Sequence, residues 1–224
     1  MTRVDDASPR HAPRDLLQAA SCGGLGPAAS IAVQIHARHC ADCAARMSAL
    51  ESIGGALLDA QEDAAFDVET SLDAVLARLQ DHRPARKYSE DVAAAPDELR
   101  PAFAAALERG RWSYAGPGLR TLDLDLPGAA ESGEFPQLLR IEPGYGAPRH
   151  SHSGIELTLV LDGAFKDQTG VYRRGDLAVA TDALTHRPVA EPGRVCLAYA
   201  VSFAPMRFTG LFGMAQRLLT RWRQ

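Results

Sequence analysis

Two groups of side chains in this 224-residue sequence are spaced to hold metal ions. The first is His36-x3-Cys40-x2-Cys43. At about 100° per residue these positions advance by about 400° and then about 300°, so all three can face one side of a helix or helix–loop–helix junction. One imidazole and two thiolates are ligands that Zn(II) favours, and a closed structural site takes a fourth. His11 and His39 are the candidates. His39 lies about 300° around from His36 on a helix, whereas His11 stands upstream of the first helix and would come in as that helix folds against the second. Two thiolates cancel the charge of the ion and leave a neutral site that can be buried.

The second group is Gly144-x5-His150-x-His152-x3-Glu156-x6-Gly163. Residues two apart on a strand share a face, so His150, His152 and Glu156 can converge inside a barrel where the chain runs extended. The flanking glycines permit the turns of a hairpin.

The elements that must position these groups differ between the two halves. Residues 1–82 read as helical. Leu16-Leu17 follows Pro13, a second apolar segment opens after Gly26-Pro27, and Met47, Leu50, Ile53 and Leu57 recur at helical spacing. A fourth helix starts near Ser71 and repeats Leu72, Val75, Leu76 and Leu79. That stripe is either core or, in so small a domain beside a linker, a partner-binding face, and the second is the expectation carried below. Residues 84–100 are rich in Pro, Ala and charge and read as a linker, with a short helix over 97–109. Beyond it the period changes from 3.6 to 2. Leu122, Leu124 and Leu126 alternate with polar residues; Leu157, Leu159 and Leu161 alternate with Thr158 and Val160; Leu197, Tyr199, Val201 and Phe203 alternate with small residues. Short strands between Gly/Pro turns predict an all-β sandwich or barrel, closed by a terminal helix through Leu211, Met214, Leu218 and Trp222. The expected organisation is a helical domain at 1–83, a linker at 84–100 and a β domain at 101–224.

Composition narrows the function classes. Hydrophobic residues make up 46% and charged ones 23%, as in soluble globular chains, which excludes collagen-like and wholly disordered readings. No apolar run approaches the ~20 residues needed to span a bilayer, and Met1 to Pro9 lacks a secretory layout. A cytoplasmic protein with no membrane partner is expected. Four unevenly placed cysteines do not make a disulfide framework; Cys22 and Cys196 read as small hydrophobes, and His39 and His82 as solvent-facing. The net charge of −4 gives no reason to expect direct nucleic-acid binding. Residues 1–90 hold 9 Lys and Arg against 13 Asp and Glu, so all the excess acid lies in the helical part and suits a basic protein partner.

His36-x3-Cys40-x2-Cys43 between two short helices resembles the zinc-binding anti-sigma domains, which sequester sigma factors of the extracytoplasmic-function class. In that family an N-terminal histidine completes the site, and His11 is the matching position. The second motif is similar to the first cupin motif. The second cupin motif contributes one more histidine, and Gly175 to His186 keeps its spacing, although Thr181 and Ala183 replace a usual Pro-x-Gly turn and Ala190 replaces an asparagine. The resemblance thus implies a barrel site of His150, His152, Glu156 and His186. Three imidazoles and a carboxylate leave a divalent ion with one net positive charge, and suit zinc or another transition metal.

Together the motifs resemble the ChrR-type anti-sigma factors, a likeness that also covers Ala49 to Gly55, Trp112 to Leu122, Glu156 to Phe165 and Pro188 to Glu191. It implies a zinc-binding helical domain followed by a cupin, the double-stranded β-helix or jelly-roll barrel. The first domain would hold the sigma factor, and the second would govern release under oxidative stress. Homo-oligomerisation through the cupin is a further expectation. The competing reading is a metal-dependent cupin dioxygenase or isomerase with a helical accessory domain, for which Tyr145 and Arg149 are the weak acid–base candidates. A third is a metal or small-ligand sensor acting through a different partner.

Overall fold

A computed structural model describes residues 11–60, 95–110 and 112–204 and the backbone of 206–208. The stripe Leu72, Val75, Leu76 and Leu79 and the predicted terminal helix lie outside the described residues.

Helices α1 (Arg14–Ser21), α2 (Pro27–His39) and α3 (Ala41–Asp59) follow one another closely. Pro27 opens α2, where a missing N–H costs nothing. Cys40, in an extended conformation, separates α2 from α3. Helix α4 spans Arg100–Arg109, shorter than the helix expected over 97–109. Its first turn contains Pro101, and a tight turn bonds Leu99 N–H to the Pro96 carbonyl immediately before it.

The rest is β. The strands are β1 (Ser113–Gly116), β2 (Leu119–Asp123), β3 (Phe135–Ile141), β4 (His150–His152), β5 (Glu156–Asp162), β6 (Ala164–Asp167), β7 (Gly170–Arg173), β8 (Leu177–Ala180), β9 (Thr185–His186), β10 (Val189–Ala190), β11 (Cys196–Ser202) and β12 (Met206–Phe208). A six-stranded sheet runs β1-β2-β3-β11-β5-β8, and two three-stranded sheets run β10-β6-β7 and β12-β4-β9. The described pairings are antiparallel. The expected α plus all-β architecture is present: a helical N-terminal region followed by a cupin-like barrel.

The large sheet is covered on both faces. Leu138, Leu157, Leu159, Tyr199 and Val201 are buried with Leu17, Ala29, Val33 and Ile35 of α1 and α2 and Phe103 of α4 in one continuous core. Their alternate neighbours, including Ile141, Val160 and Cys196, join Phe165 and Tyr172 in a second cluster inside the barrel. The leucine alternation therefore marks the face that receives the helices, while Thr158, Ala198 and Ala200 turn to the barrel interior. Smaller residues there leave a cavity.

Helix α2 is held on the sheet by polar contacts at both ends. Glu134, buried in the loop before β3, accepts hydrogen bonds from Ala28 N–H at 2.9 Å and Ala29 N–H at 3.0 Å. A carboxylate on free N–H groups at a helix start is the charge-assisted cap that the helix dipole favours. Gly26 makes this approach possible, since a Cβ there would stand 2.4 Å from the Glu134 carboxyl carbon. Tyr199 donates its hydroxyl to the Ala28 carbonyl at 3.1 Å; burial and then the charge of Glu134 keep that phenol protonated. At the other end, Arg38 pairs with Glu98 through two hydrogen bonds, and His36 bonds across to the β7–β8 turn.

Candidate metal centres

The barrel centre is assembled by β4, β5 and β9. Antiparallel pairing of β4 with β9 puts His150 opposite His186, and β5 begins with Glu156. His150, His152, Glu156 and His186 are all buried, and their ligand atoms lie within 4.8 Å of one another. His186 Nε2 is 3.0 Å from His152 Nε2 and 3.2 Å from His150 Nε2. Three nitrogens facing one another so closely call for a cation or proton between them, and their own chemistry decides which. Burial, opposed in part by the Pro148 carbonyl, pushes His150 down; burial and then nearby His186 push His152 down to about 4. His150 and His152, kept neutral at neutral pH, offer lone pairs, and with His186 and Glu156 beside them the donor set fits a metal ion.

Outer partners orient these ligands, as they commonly do in metal sites. His150 Nδ1 donates to the Pro148 carbonyl at 2.7 Å, and His186 Nδ1 faces Asp167 Oδ2 at 2.8 Å. Glu156 accepts hydrogen bonds from Ser202 at 2.9 Å and Thr158 at 3.3 Å. Burial would raise the Asp167 pKa, but hydrogen bonds from His186 and from Thr169 outweigh it and hold the carboxyl below its usual value. Asp167 has no motif around it and is found only through the fold. Asp167→Asn is expected to weaken metal binding at this centre by about 10–100-fold, read by competition with a chromogenic chelator.

Beside this centre the barrel encloses a cavity of about 90 Å³. Leu119, Ile141, Phe165, Leu184, Ala198 and Ala200 line it, and His150, Glu156 and His186 reach its wall. Tyr145 and Arg149, the acid–base candidates, do not line it; both are exposed.

The second centre lies where α1, α2 and α3 meet. His11, Cys40 and Cys43 bring their ligand atoms within 4.8 Å of one another. His11 Nδ1 is 3.2 Å from Cys40 Sγ and 3.8 Å from Cys43 Sγ, while its Nε2 lies 3.4 Å from Asp42 Oδ2. His39 is exposed and stands outside the group. His36 is also outside that 4.8 Å group, a departure from the four-ligand expectation. It is fully buried, its Nδ1 is 2.8 Å from the Gly175 carbonyl, and its Nε2 has no hydrogen-bond partner. A buried nitrogen without a partner is costly, and here it belongs to a ring whose other nitrogen is already bonded to a backbone carbonyl, the arrangement of a metal-binding histidine. Burial lowers the His36 pKa against the pull of that carbonyl, and nearby His11 lowers it further. Burial, with Cys40 adjacent, raises the Cys43 thiol. The group therefore fits a cation that takes the place of the thiol protons.

Of the other cysteines, Cys196 is buried as expected, with its thiol pushed up to about 12 by burial and then Asp162. Cys22 is exposed, where a buried or half-buried small hydrophobe is expected from the sequence. Beyond Leu50, α3 lies open to solvent: Ile53, Leu57 and Leu58 are 60%, 65% and 69% exposed. Ile53 and Leu57 recur at the helical spacing noted in the sequence, and the structure leaves them, with Leu58, exposed.

Architecture and donor groups define a class, that of a small helical module with thiolate and imidazole donors mounted on a cupin barrel that carries donors of its own. Residues 102–205 match the ChrR cupin-like domain family. Over 200 residues the chain is 40% identical to the anti-sigma-E factor ChrR of Cereibacter sphaeroides, covering 88% of this chain and 91% of that protein. It also matches a chain in the crystal structure of Rhodobacter sphaeroides SigE in complex with the anti-sigma ChrR, with a TM-score of 0.68 and 36% identity over 86% of this chain and 98% of that one. The chain belongs to the ChrR family of anti-sigma factors. Among the described residues no helix is long and apolar enough to cross a membrane.

Proposed function

We propose that this protein is a cytoplasmic negative regulator of transcription that sequesters an extracytoplasmic-function sigma factor. Residues 1–83 form the sigma-binding domain, 84–100 the connection and 101–224 the cupin. Zn(II) is held by His11, His36, Cys40 and Cys43, and a second divalent ion, zinc or another transition metal, by His150, His152, Glu156 and His186. The observation that carries this reading is the thiolate–imidazole cluster at the foot of α3, a helix whose outer half presents Ile53, Leu57 and Leu58 to solvent. Isolated exposed apolar residues need no explanation, but a contiguous patch marks an interaction surface. The excess acid of residues 1–90 complements a basic partner. The sigma factor covers this face, together with any contribution from Leu72, Val75, Leu76 and Leu79. The barrel receives the oxidative-stress signal at its metal and adjoining cavity. Besides the ligand atoms, the cavity wall carries Asp167 and Tyr172. Asp167 is engaged by His186 and Thr169, and the Tyr172 hydroxyl by Thr169. These engaged groups, with the family likeness to an anti-sigma factor, support a regulatory role over a dioxygenase or isomerase.

The test is affinity capture with the full-length, zinc-loaded protein in extract from its own source, followed by metal analysis. Retention of one alternative sigma factor, with zinc bound at the thiolate site, is the expected result. Retention of no sigma factor, or equal capture by protein stripped of zinc with a chelator, would overturn the reading. Redox-active iron in the barrel together with turnover of a small molecule would favour the enzyme.

A further inference from the structure

Helix α2 reaches the barrel at the turn joining β7 to β8. In that turn Asp176 N–H bonds to the Arg173 carbonyl at 2.8 Å, and the Asp176 carboxylate accepts Arg173 N–H at 2.8 Å. The turn is fastened to β5 by two backbone bonds: Gly175 N–H to the Val160 carbonyl at 2.8 Å, and Val160 N–H to the Asp176 carbonyl at 3.1 Å. Gly175 itself has φ +87°, and a Cβ on it would stand 2.4 Å from His39 Cβ. Its carbonyl meets His36 Nδ1 at 2.8 Å. The imidazole is thus fixed by the barrel on one side, with its buried, unpartnered Nε2 on the other.

We infer that the Gly175 carbonyl is a positioning group for the thiolate zinc site: by holding His36 Nδ1–H it fixes the tautomer and ring orientation that deliver Nε2 to the ion, so the cupin barrel sets how firmly the helical module keeps its metal. The inference rests on the zinc reading above and adds a dependence between the two parts of the chain. It follows from chemistry that recurs in metal sites, where loss of the outer partner of a histidine ligand costs about 10–100-fold in affinity. The strand to which the turn is fastened is β5, whose first residue is the barrel donor Glu156. A movement of β5 therefore reaches His36 through two backbone bonds and one carbonyl.

The experiment compares full-length wild type, Gly175→Ala and Gly193→Ala. Gly193 has φ +100° but nothing within 4 Å of a built Cβ, so its alanine variant carries the backbone strain without the contact to α2. Zinc release to a chromogenic chelator, the thiolate-to-metal charge-transfer band of the cobalt-substituted protein and thermal unfolding are recorded for each. Gly175→Ala is expected to release the thiolate-bound ion about 10–100-fold faster and to alter the cobalt band, while barrel zinc and the Gly193→Ala protein stay at wild-type values. Wild-type release with an unchanged band in Gly175→Ala would overturn the inference. Should Gly175→Ala melt well below Gly193→Ala, a chain with Nδ1-methylhistidine at position 36 decides: a methyl group takes the place of the Nδ1 proton facing the Gly175 carbonyl while Nε2 keeps its lone pair, and unchanged zinc retention overturns the inference. Absence of any thiolate–cobalt band in wild type would instead refute the zinc reading itself.

Discussion

Replacement of Cys40 by serine is expected to remove one zinc ion per chain and to weaken sigma-factor binding by at least about 100-fold, while the barrel keeps its own metal and its thermal transition. The size of the effect follows from how α3 is attached. Among its residues only Cys43 is buried, and from Glu51 to Ala60 the helix is exposed throughout. Helices α1 and α2, in contrast, place Leu17, Val33 and Ile35 in the core shared with the sheet. Metal loss therefore leaves α1 and α2 seated and frees α3, the helix that presents Ile53, Leu57 and Leu58. Structural zinc contributes about 10–16 kcal/mol in small zinc-dependent folds, far more than one buried thiol could replace, and a serine hydroxyl does not ionise to take the place of thiolate. His36→Ala should behave alike, because it removes both the ligand and the bond to Gly175. Amide exchange across α3, metal analysis and binding to the captured sigma factor check the result. Tight binding by a Cys40→Ser protein that has lost the ion would refute the zinc-dependent mechanism. Acid should act in the same direction. The buried Cys43 thiol holds its proton more tightly than a free one, so zinc must displace that proton and its affinity falls as pH falls.

What the sequence discloses follows the range of the forces involved. His150, His152 and Glu156 are close in the chain and lie on consecutive strands, β4 and β5, so their spacing carries the geometry although the two strands belong to different sheets. Cys40 and Cys43 meet around one helix end for the same reason, whereas His36, although only four residues before Cys40, stands outside the group that His11 joins. The period-2 leucines of β5 announce a strand, but alternation cannot say which face meets the barrel interior, and Leu157 and Leu159 turn outward onto the helices. Alternation in α3 misleads differently: Ile53 and Leu57 repeat as core residues do, yet are exposed. An apolar stripe reserved for a partner has the same pattern as one reserved for the interior. The contacts between helices and barrel are the least legible. Gly175 and His36 are 139 residues apart, and Glu134 and Ala28 are 106 apart. No local rule marks a glutamate in a turn as the cap of a distant helix.

Glu134→Ala is the change expected to loosen the union of the two parts most. The side chain is 2% exposed and accepts two N–H bonds from Ala28 and Ala29, themselves wholly buried. Its removal leaves two donors without partners where water does not readily reach, at about 1–3 kcal/mol each, and forfeits the attraction between a carboxylate and a helix N-terminus. A loss of about 3–5 kcal/mol is expected in the unfolding free energy, read from denaturant titration, of the transition that includes α2. Glu134→Gln keeps one acceptor oxygen without the charge and should lose about 1–2 kcal/mol. Their ordering separates hydrogen bonding from simple packing, since glutamine fills nearly the same volume; equal losses in the two variants would mean that the cap contributes through charge alone. The consequence extends along α2. With its N-terminus released, the helix is held on the sheet by its apolar face, the Arg38–Glu98 pair and the Gly175 carbonyl, so Glu134→Ala should also quicken zinc release at the far end, where His36 depends on staying in register with the β7–β8 turn. A variant within about 1 kcal/mol of wild type and with unchanged zinc release would show that α2 is seated by its alanines and Ile35, and that the buried carboxylate only fills space.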